Sequence, residues 1–205
     1  MTPAQFSEES LGRAFFERPP DDVARDLVGA LLIVRDQVHD IYAKVVETEA
    51  YGGSDDLASH AYRGPTKRCE VMFGPPGYLY VYRIYGLHWC MNVVTESDGV
   101  ASAVLLRAAE VLDGPLSVSR PPQRIALLRG PGNLTRGLGI SGIENGVDCC
   151  QGSISRIRFH GPSGEGVRQP IAQSRRIGLT KAQDRHSRYF LEGHPAVTKV
   201  PFVMP

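Results

Sequence analysis

The sequence predicts a single domain in which short helices accompany an antiparallel β-meander, and three observations carry that expectation. The 205 residues fall below the length at which chains usually split, about 250 residues, and no repeat, low-complexity tract or linker divides them. Alternating apolar runs at Tyr78–Tyr85, Trp89–Thr95 and Ser102–Val111 are broken at Gly86 and at Asp98–Gly99, which reads as three successive antiparallel strands. Asp21–Ala30 places Val23, Leu27 and Val28 at helical spacing behind an acidic first turn.

The remaining elements follow in order. Leu31–Val34 and Ile41–Glu49, on either side of the polar Arg35–Asp40, read as a strand pair. A period of two puts Ile41, Ala43, Val45, Glu47 and Glu49 on one face, so two carboxylates end an apolar row. Ser54 is placed to cap a short helix through Tyr62, with Asp55 and Asp56 in its first turn. In the Tyr78–Tyr85 run, Tyr78, Tyr80 and Tyr82 face one side, and Tyr85–His88 forms a hairpin tip. Gly114–Gly132 reads as a loop with a helical turn through Gln123–Arg129, Asn133 as the cap of a helix through Leu138, Ser153–His160 as a further strand and Pro162–Ser174 as turns.

Composition narrows the class. An apolar fraction of 42% and a charged fraction of 22% belong to an ordinary globular protein and exclude collagen-like and disordered chains. No apolar run nears the roughly 20 residues of a bilayer span, and Met1–Ser10 lacks a signal-peptide pattern, so a cytoplasmic protein without a membrane partner is expected. Cys69, Cys90, Cys149 and Cys150 show no CxxC spacing and the six histidines no ligand pair, so no metal site and reduced thiols are expected. The net charge of +1 hides an asymmetry: residues 1–62 carry 5 basic and 12 acidic groups, residues 115–190 carry 12 and 4. That fits a basic face toward a polyanion, and equally an evenly solvated surface once the ends mix in space.

Two motifs compete for the chemistry. Gly137–Gly142 matches GxGxxG, but a helix-like segment precedes it and no acid stands about 20 residues on, so it reads as a helix end and turn rather than a dinucleotide fingerprint. Glu47 and Glu49, by contrast, sit where desolvation can raise a carboxyl pKa toward general-base use. Within sixty residues of them come Tyr51, His60, Tyr80, Tyr82, Tyr85, Asn92 and Arg107, many hydrogen-bonding groups for a plain core. Tyr78 and Tyr80 are accounted for as cross-strand packing. Tyr85, beside Gly86 at a hairpin tip, projects from the sheet, and an exposed aromatic on a tight turn can wedge between stacked bases.

These residues carry a resemblance. Val46-Glu47-Thr48-Glu49-Ala50-Tyr51, then His60, Met72-Phe73-Gly74-Pro75-Pro76-Gly77, Tyr80-Val81-Tyr82-Arg83-Ile84-Tyr85-Gly86, Asn92 and Val104-Leu105-Leu106-Arg107 resemble the alkyladenine (3-methyladenine) DNA glycosylase family. The likeness covers Ala24–Glu110 and continues in Gly130-Pro131-Gly132, Leu134 and Arg176-Ile177-Gly178. It implies a mixed α+β single domain, a curved antiparallel sheet surrounded by short helices with a protruding, DNA-intercalating hairpin. It implies a monofunctional glycosylase of base excision repair that flips alkylated or deaminated purines from duplex DNA and hydrolyses the N-glycosidic bond, with no cofactor.

By the same resemblance Glu49 activates the water and Arg107 helps hold it. Tyr51, His60, Tyr82, Asn92 and Leu105 form the base pocket, and Tyr85 fills the gap in the duplex. The basic stretch of residues 115–190 supplies Arg120, Arg124 and Arg136, with Arg68, as the expected contacts to the DNA backbone. The expected partner is double-stranded DNA containing damaged purines, met by a monomer associated with the nucleoid. The likeness departs at Cys69, Asn133 and His186-Ser187-Arg188, positions that bear on DNA contacts rather than on catalysis. Two other classes fit part of the pattern: a protein that binds lesions without cleaving, and a hydrolase of free nucleosides.

Overall fold

The computed structural model describes residues 6–35, 39–114, 128–162 and 169–199. Among these residues nine strands form one sheet, in the order β1-β7-β2-β3-β6-β5-β4, with β9 paired to β3 and β8 to β9. The strands are β1 (Phe6–Ser10), β2 (Leu31–Val34), β3 (Ile41–Tyr51), β4 (Leu79–Ile84), β5 (His88–Val94), β6 (Ala103–Asp113), β7 (Ile157–Pro162), β8 (Ile171–Ser174) and β9 (Arg188–Leu191). Every pairing is antiparallel. The helices are short: α1 (Arg13–Phe16), α2 (Pro20–Leu27) and α3 (Pro131–Gly137). No helix among the described residues is long and apolar enough to cross a membrane.

The meander and the strand pair stand as the alternation predicts. β4, β5 and β6 are consecutive neighbours, and β2 pairs β3 from Leu31↔Lys44 to Val34↔Ile41. α2 begins with Pro20 at its first turn, where a missing N–H costs nothing, beside Asp21 and Asp22, which suit the helix dipole. It buries Val23, Ala24 and Leu27 against the sheet in a core shared with Phe16, Leu32, Leu106, Leu134 and Phe159. The GxGxxG stretch is the end of α3, with Gly139 at φ +63° in the turn that follows.

Several local expectations are corrected. The even alternation through β3 breaks. Pairing with β6 runs Val45↔Ala109, then Glu47↔Ala108, then Thr48↔Leu106, leaving Val46 and Arg107 without a register partner. Ile41, Ala43 and Val45 face the core before this irregularity, whereas Val46 and Ala50 face it afterwards. Thr48 Oγ1 donates to the α2 carbonyl of Ala24 at 2.8 Å, on that same side. Glu47 and Glu49 therefore turn away from the apolar row that they were expected to end, because a paired irregularity inverts the faces of both strands.

Residues 52–63 are turns rather than a helix capped by Ser54. Asp56 there accepts from the N–H groups of Gly52 (3.0 Å) and Ala58 (3.1 Å), closing a turn where a helix would have begun. Asn133 lies inside α3 and its amide donates to the Arg129 carbonyl at 3.0 Å, while Gly130 stands at the N-cap. The Ser153–His160 strand begins only at Ile157, after a 3₁₀ turn at Gly152–Ile154. Strands β1, β8 and β9 were not anticipated, and β8 lies within the segment expected to be turns. Arg120, Arg124 and most of the turn expected at Gln123–Arg129 lie outside the described residues.

Candidate active site

The inversion in β3 creates the site. Glu47 and Glu49 are fully buried, in a strand flanked by β6 on one side and β9 on the other. Arg107, at the matching irregularity of β6, donates from Nε to Glu47 Oε1 at 2.9 Å and from Nη1 to Glu49 Oε2 at 3.1 Å. Glu49 accepts two further bonds, from the Tyr51 hydroxyl to Oε2 at 2.9 Å and from the Ile177 N–H to Oε1 at 2.7 Å. Burial pushes the Glu49 carboxyl above its ordinary range, and Arg107, the Ile177 N–H and Tyr51 only partly offset this. Two coordinated oxygens and a raised proton affinity make a carboxylate that is oriented and basic.

Beside this cluster lies a cavity of about 250 Å³ whose walls include Tyr51, His60, Tyr82, Asn92, Arg68 and Leu179. The volume falls just below the range of about 300–1,000 Å³ usual for drug-sized ligands, which suits a single planar heterocycle. Tyr80 and Tyr82 stack at 5.2 Å, and the His60 ring meets Tyr82 edge-on at 4.5 Å. His60 Nδ1 lies 2.9 Å from the Tyr80 hydroxyl. Desolvation, then the Arg68 guanidinium, hold His60 below its usual pKa. Burial pushes the Tyr80 phenol up to about 12. Both groups are therefore neutral at pH 7 and present hydrogen-bonding edges without charge.

Of the sequence-selected residues, Tyr51, His60, Tyr82, Asn92 and Arg68 line the cavity. The Asn92 amide is fixed by donation to the Tyr80 carbonyl across the β4–β5 pair at 2.9 Å. Glu49, Arg107 and Leu105 are not among the lining residues; Tyr51 connects the first two to the cavity. Leu105 stands opposite both Glu49 and Asn92 in register. Arg68 lies at the rim with its guanidinium 5.2 Å over the Tyr82 ring. Arg136 is exposed on α3. At the β4–β5 tip Tyr85 is 85% exposed, with φ +51° followed by Gly86 at φ +68°, and the Leu87 N–H donates to the Ile84 carbonyl at 3.2 Å. Two positive φ values define a type I′ turn, which glycine adopts freely and tyrosine only under strain.

The basic stretch of residues 115–190 is only in part a surface. Arg176 and Arg188 are buried, and Arg156 and Arg158 pair with Glu144 and Asp40. Arg176 grips Asp56 through Nη1 at 2.5 Å and Nη2 at 2.9 Å, donates to the Ala50 carbonyl, and lies 4.6 Å from the Tyr51 ring. Sequence reasoning places Arg176 and Ile177 in the likeness and Asp56 in a helix turn but gives none of them a place in the site, since they come together only when the 175–187 segment folds back over β3. The four cysteines are free, and none lines the cavity. Among the described residues no three His, Cys, Asp or Glu side chains gather as a metal-ligating group.

The chain is similar to known proteins over most of its length. Residues 14–195 match the family described as methylpurine-DNA glycosylase (MPG). A protein of Methanoculleus marisnigri named "Putative 3-methyladenine DNA glycosylase" is 44% identical, across 93% of this chain and 99% of its own. Proteins of the same name from an Anaeromyxobacter species (44%, covering 93% of both chains) and a Synechococcus species (43%, covering 90% and 96%) are similar to the same extent. On these matches the chain belongs to the methylpurine-DNA glycosylase family and is a DNA glycosylase.

Proposed function

We propose that the protein removes alkylated or deaminated purines of the 3-methyladenine type from duplex DNA, using a water activated by Glu49, and leaves an abasic site. The observation that carries this reading is the buried Glu49, oriented by Arg107, Tyr51 and Ile177 next to an aromatic cavity the size of one base.

A base inside a duplex does not expose its glycosidic bond, so it must be extruded at a cost of a few kcal/mol. Tyr85 at the β4–β5 tip fills the space the base leaves, and Tyr51, Tyr82 and His60 receive it. Electron-rich rings favour a cationic planar base over a neutral one, which favours N-alkylated purines over deaminated ones. Cleavage passes through an oxocarbenium-like sugar, as in glycoside hydrolysis. Ionised Glu49 stabilises that cation and takes a proton from the water that attacks the anomeric carbon, while the bonding pair of the glycosidic bond leaves with the base. An alkylated purine departs without a further proton because it already carries the positive charge, whereas a neutral deaminated purine takes up a proton from water as it leaves.

Exposed Arg136, Arg175 and Lys181 would meet phosphates, which position the duplex without reading its sequence. Lys44 is buried and paired with Glu110 at 2.9 Å, so it is not presented to a sugar aldehyde. No lysine is among the residues that line the cavity, which supports a monofunctional enzyme that leaves the strand intact. The test is single-turnover incubation with a methylated duplex: released purine with an alkali-labile but unbroken strand is expected. Lesion binding without release, or a nicked product before alkali, contradicts the reading.

A further inference from the structure

Glu47 is as buried as Glu49 but does not border the base cavity. It stands two residues before Glu49 on the same face of β3, and both its oxygens are engaged. Oε1 accepts from Arg107 Nε at 2.9 Å and from Arg188 Nε at 2.8 Å, and Oε2 accepts from the Thr198 N–H at 2.8 Å. Arg107 spans the two carboxylates with adjacent nitrogens of one planar fork. Arg188 is itself fixed, donating to Ser174 Oγ at 3.0 Å and to the Thr198 carbonyl at 2.8 Å.

We propose that Glu47, clamped by Arg188 and Thr198, is the positioning residue of this site, fixing the guanidinium of Arg107 against Glu49 and balancing the charge that Glu49 meets. The inference rests on the reading of Glu49 as the base. Two carboxylates and two guanidiniums make a buried group of zero net charge, and removing one member leaves its partner uncompensated in a low-dielectric interior. Without the Nε anchor Arg107 can turn about its side-chain torsions, so its Nη1 no longer has one place.

The charged and titratable groups around the pair give the test opposite signs. Glu49 faces Arg107 from β6, Tyr51 from its own strand and the Ile177 N–H, with Arg188 opposite on β9, Arg176 behind Tyr51, and the Cys90 thiol of β5 near enough to Glu49 and Arg107 to feel both charges. Glu47 faces Arg107, Arg188 and Thr198, and beyond them on the same side lie Lys44, Glu110 and His194. Glu47→Gln leaves an amide oxygen to accept from Arg107 Nε, so Arg107 stays beside Glu49, but it deletes a negative charge that raises the proton affinity of Glu49, so Glu49 titrates at lower pH. Arg188→Gln deletes the positive charge that offsets Glu47, so Glu49 titrates at higher pH. General disruption of packing would not give opposite shifts.

The experiment follows Glu49 by carboxyl ¹³C NMR in the unliganded full chain, and single-turnover excision of a methylated duplex, for wild type, both variants and Glu47→Ala. Expected are shifts of opposite sign in the Glu49 titration, matching shifts of the acid limb of the rate profile, and, in Glu47→Ala, which removes the anchor of Arg107 altogether, a rate about 10- to 100-fold lower with lesion affinity within about twofold. Titrations of the two Gln variants that stay put or move the same way, or a Glu47→Ala rate within about twofold of wild type, overturn the proposal. If Glu47→Gln or Glu47→Ala does not fold, Arg188→Gln carries the test by the sign of its shift. If the wild type releases no purine, the proposed function falls, and the NMR arm still decides the role of Glu47.

Discussion

Arg107 Nη1 donates to Glu49 Oε2 at 3.1 Å across the β3–β6 pair, at the one point where both strands lose register. The two observations belong together. The irregularity lifts an arginine and two glutamates off the apolar face and stacks them on the side where the 175–187 segment and the base cavity lie. A regular ladder would have buried the same charges in the α2 core, where nothing could pair with them.

The raised proton affinity of Glu49 fixes a pH dependence. The base acts only when ionised, and burial lifts its pKa, so activity is lost as pH falls through that raised value. On a cationic alkylated base, which needs no proton to leave, the acid limb is expected above the ordinary glutamate pKa of about 4.3. A single-turnover rate profile that stays flat down to that value would show Glu49 to be an ordinary carboxylate.

Tyr85 holds a left-handed conformation, φ +51°, with its side chain 85% exposed. Tyr85→Gly removes that strain and is expected to leave stability unchanged or raise it by up to about 1 kcal/mol, the gain being tempered by glycine's unfolded-state freedom. The same variant is expected to lose excision on duplex DNA by about tenfold or more as the wedge disappears. Denaturant melts and excision rates on one preparation check both directions.

The Arg176–Asp56 pair holds the 52–62 turns, which carry His60, against the segment that supplies Ile177. Burial pushes the Asp56 carboxyl up, but the Arg176 hydrogen bonds and charge, with the N–H groups of Ala58 and Gly52, outweigh it and hold it below its usual range. The folded-state pKa is lower than the unfolded one, so the stabilisation is present above the unfolded value and lost as pH falls through the folded one. Asp56→Ala leaves Arg176 buried and unpaired and is expected to cost about 3–5 kcal/mol, read as a lower midpoint in urea. Asp56→Asn should cost less.

The legible part of the molecule was the part whose information is local. The β4–β5–β6 meander, α2 and the β2–β3 pair follow from alternation and helical spacing, and the tyrosines of β4 reach one face as a period of two requires. What period could not supply is the inversion at Val46 and Arg107, because an irregular pair leaves no mark in either strand alone. Strands β8 and β9 were hidden for a similar reason. They are four residues each, too short to show a period, and β9 pairs with β3 across some 140 positions. The motif around Glu49, Tyr51 and Arg107 pointed to a family, but Glu47, Arg176 and Asp56 acquire their partners only in three dimensions.

Among these tests, single-turnover excision of a methylated duplex by Glu49→Gln reaches the central claim most directly. Removing the general base should slow purine release by about 10²- to 10⁴-fold while lesion binding stays within a few-fold of wild type. A Glu49→Gln variant that releases purine at the wild-type rate would remove Glu49 from the chemistry and leave the buried cluster without a catalytic role.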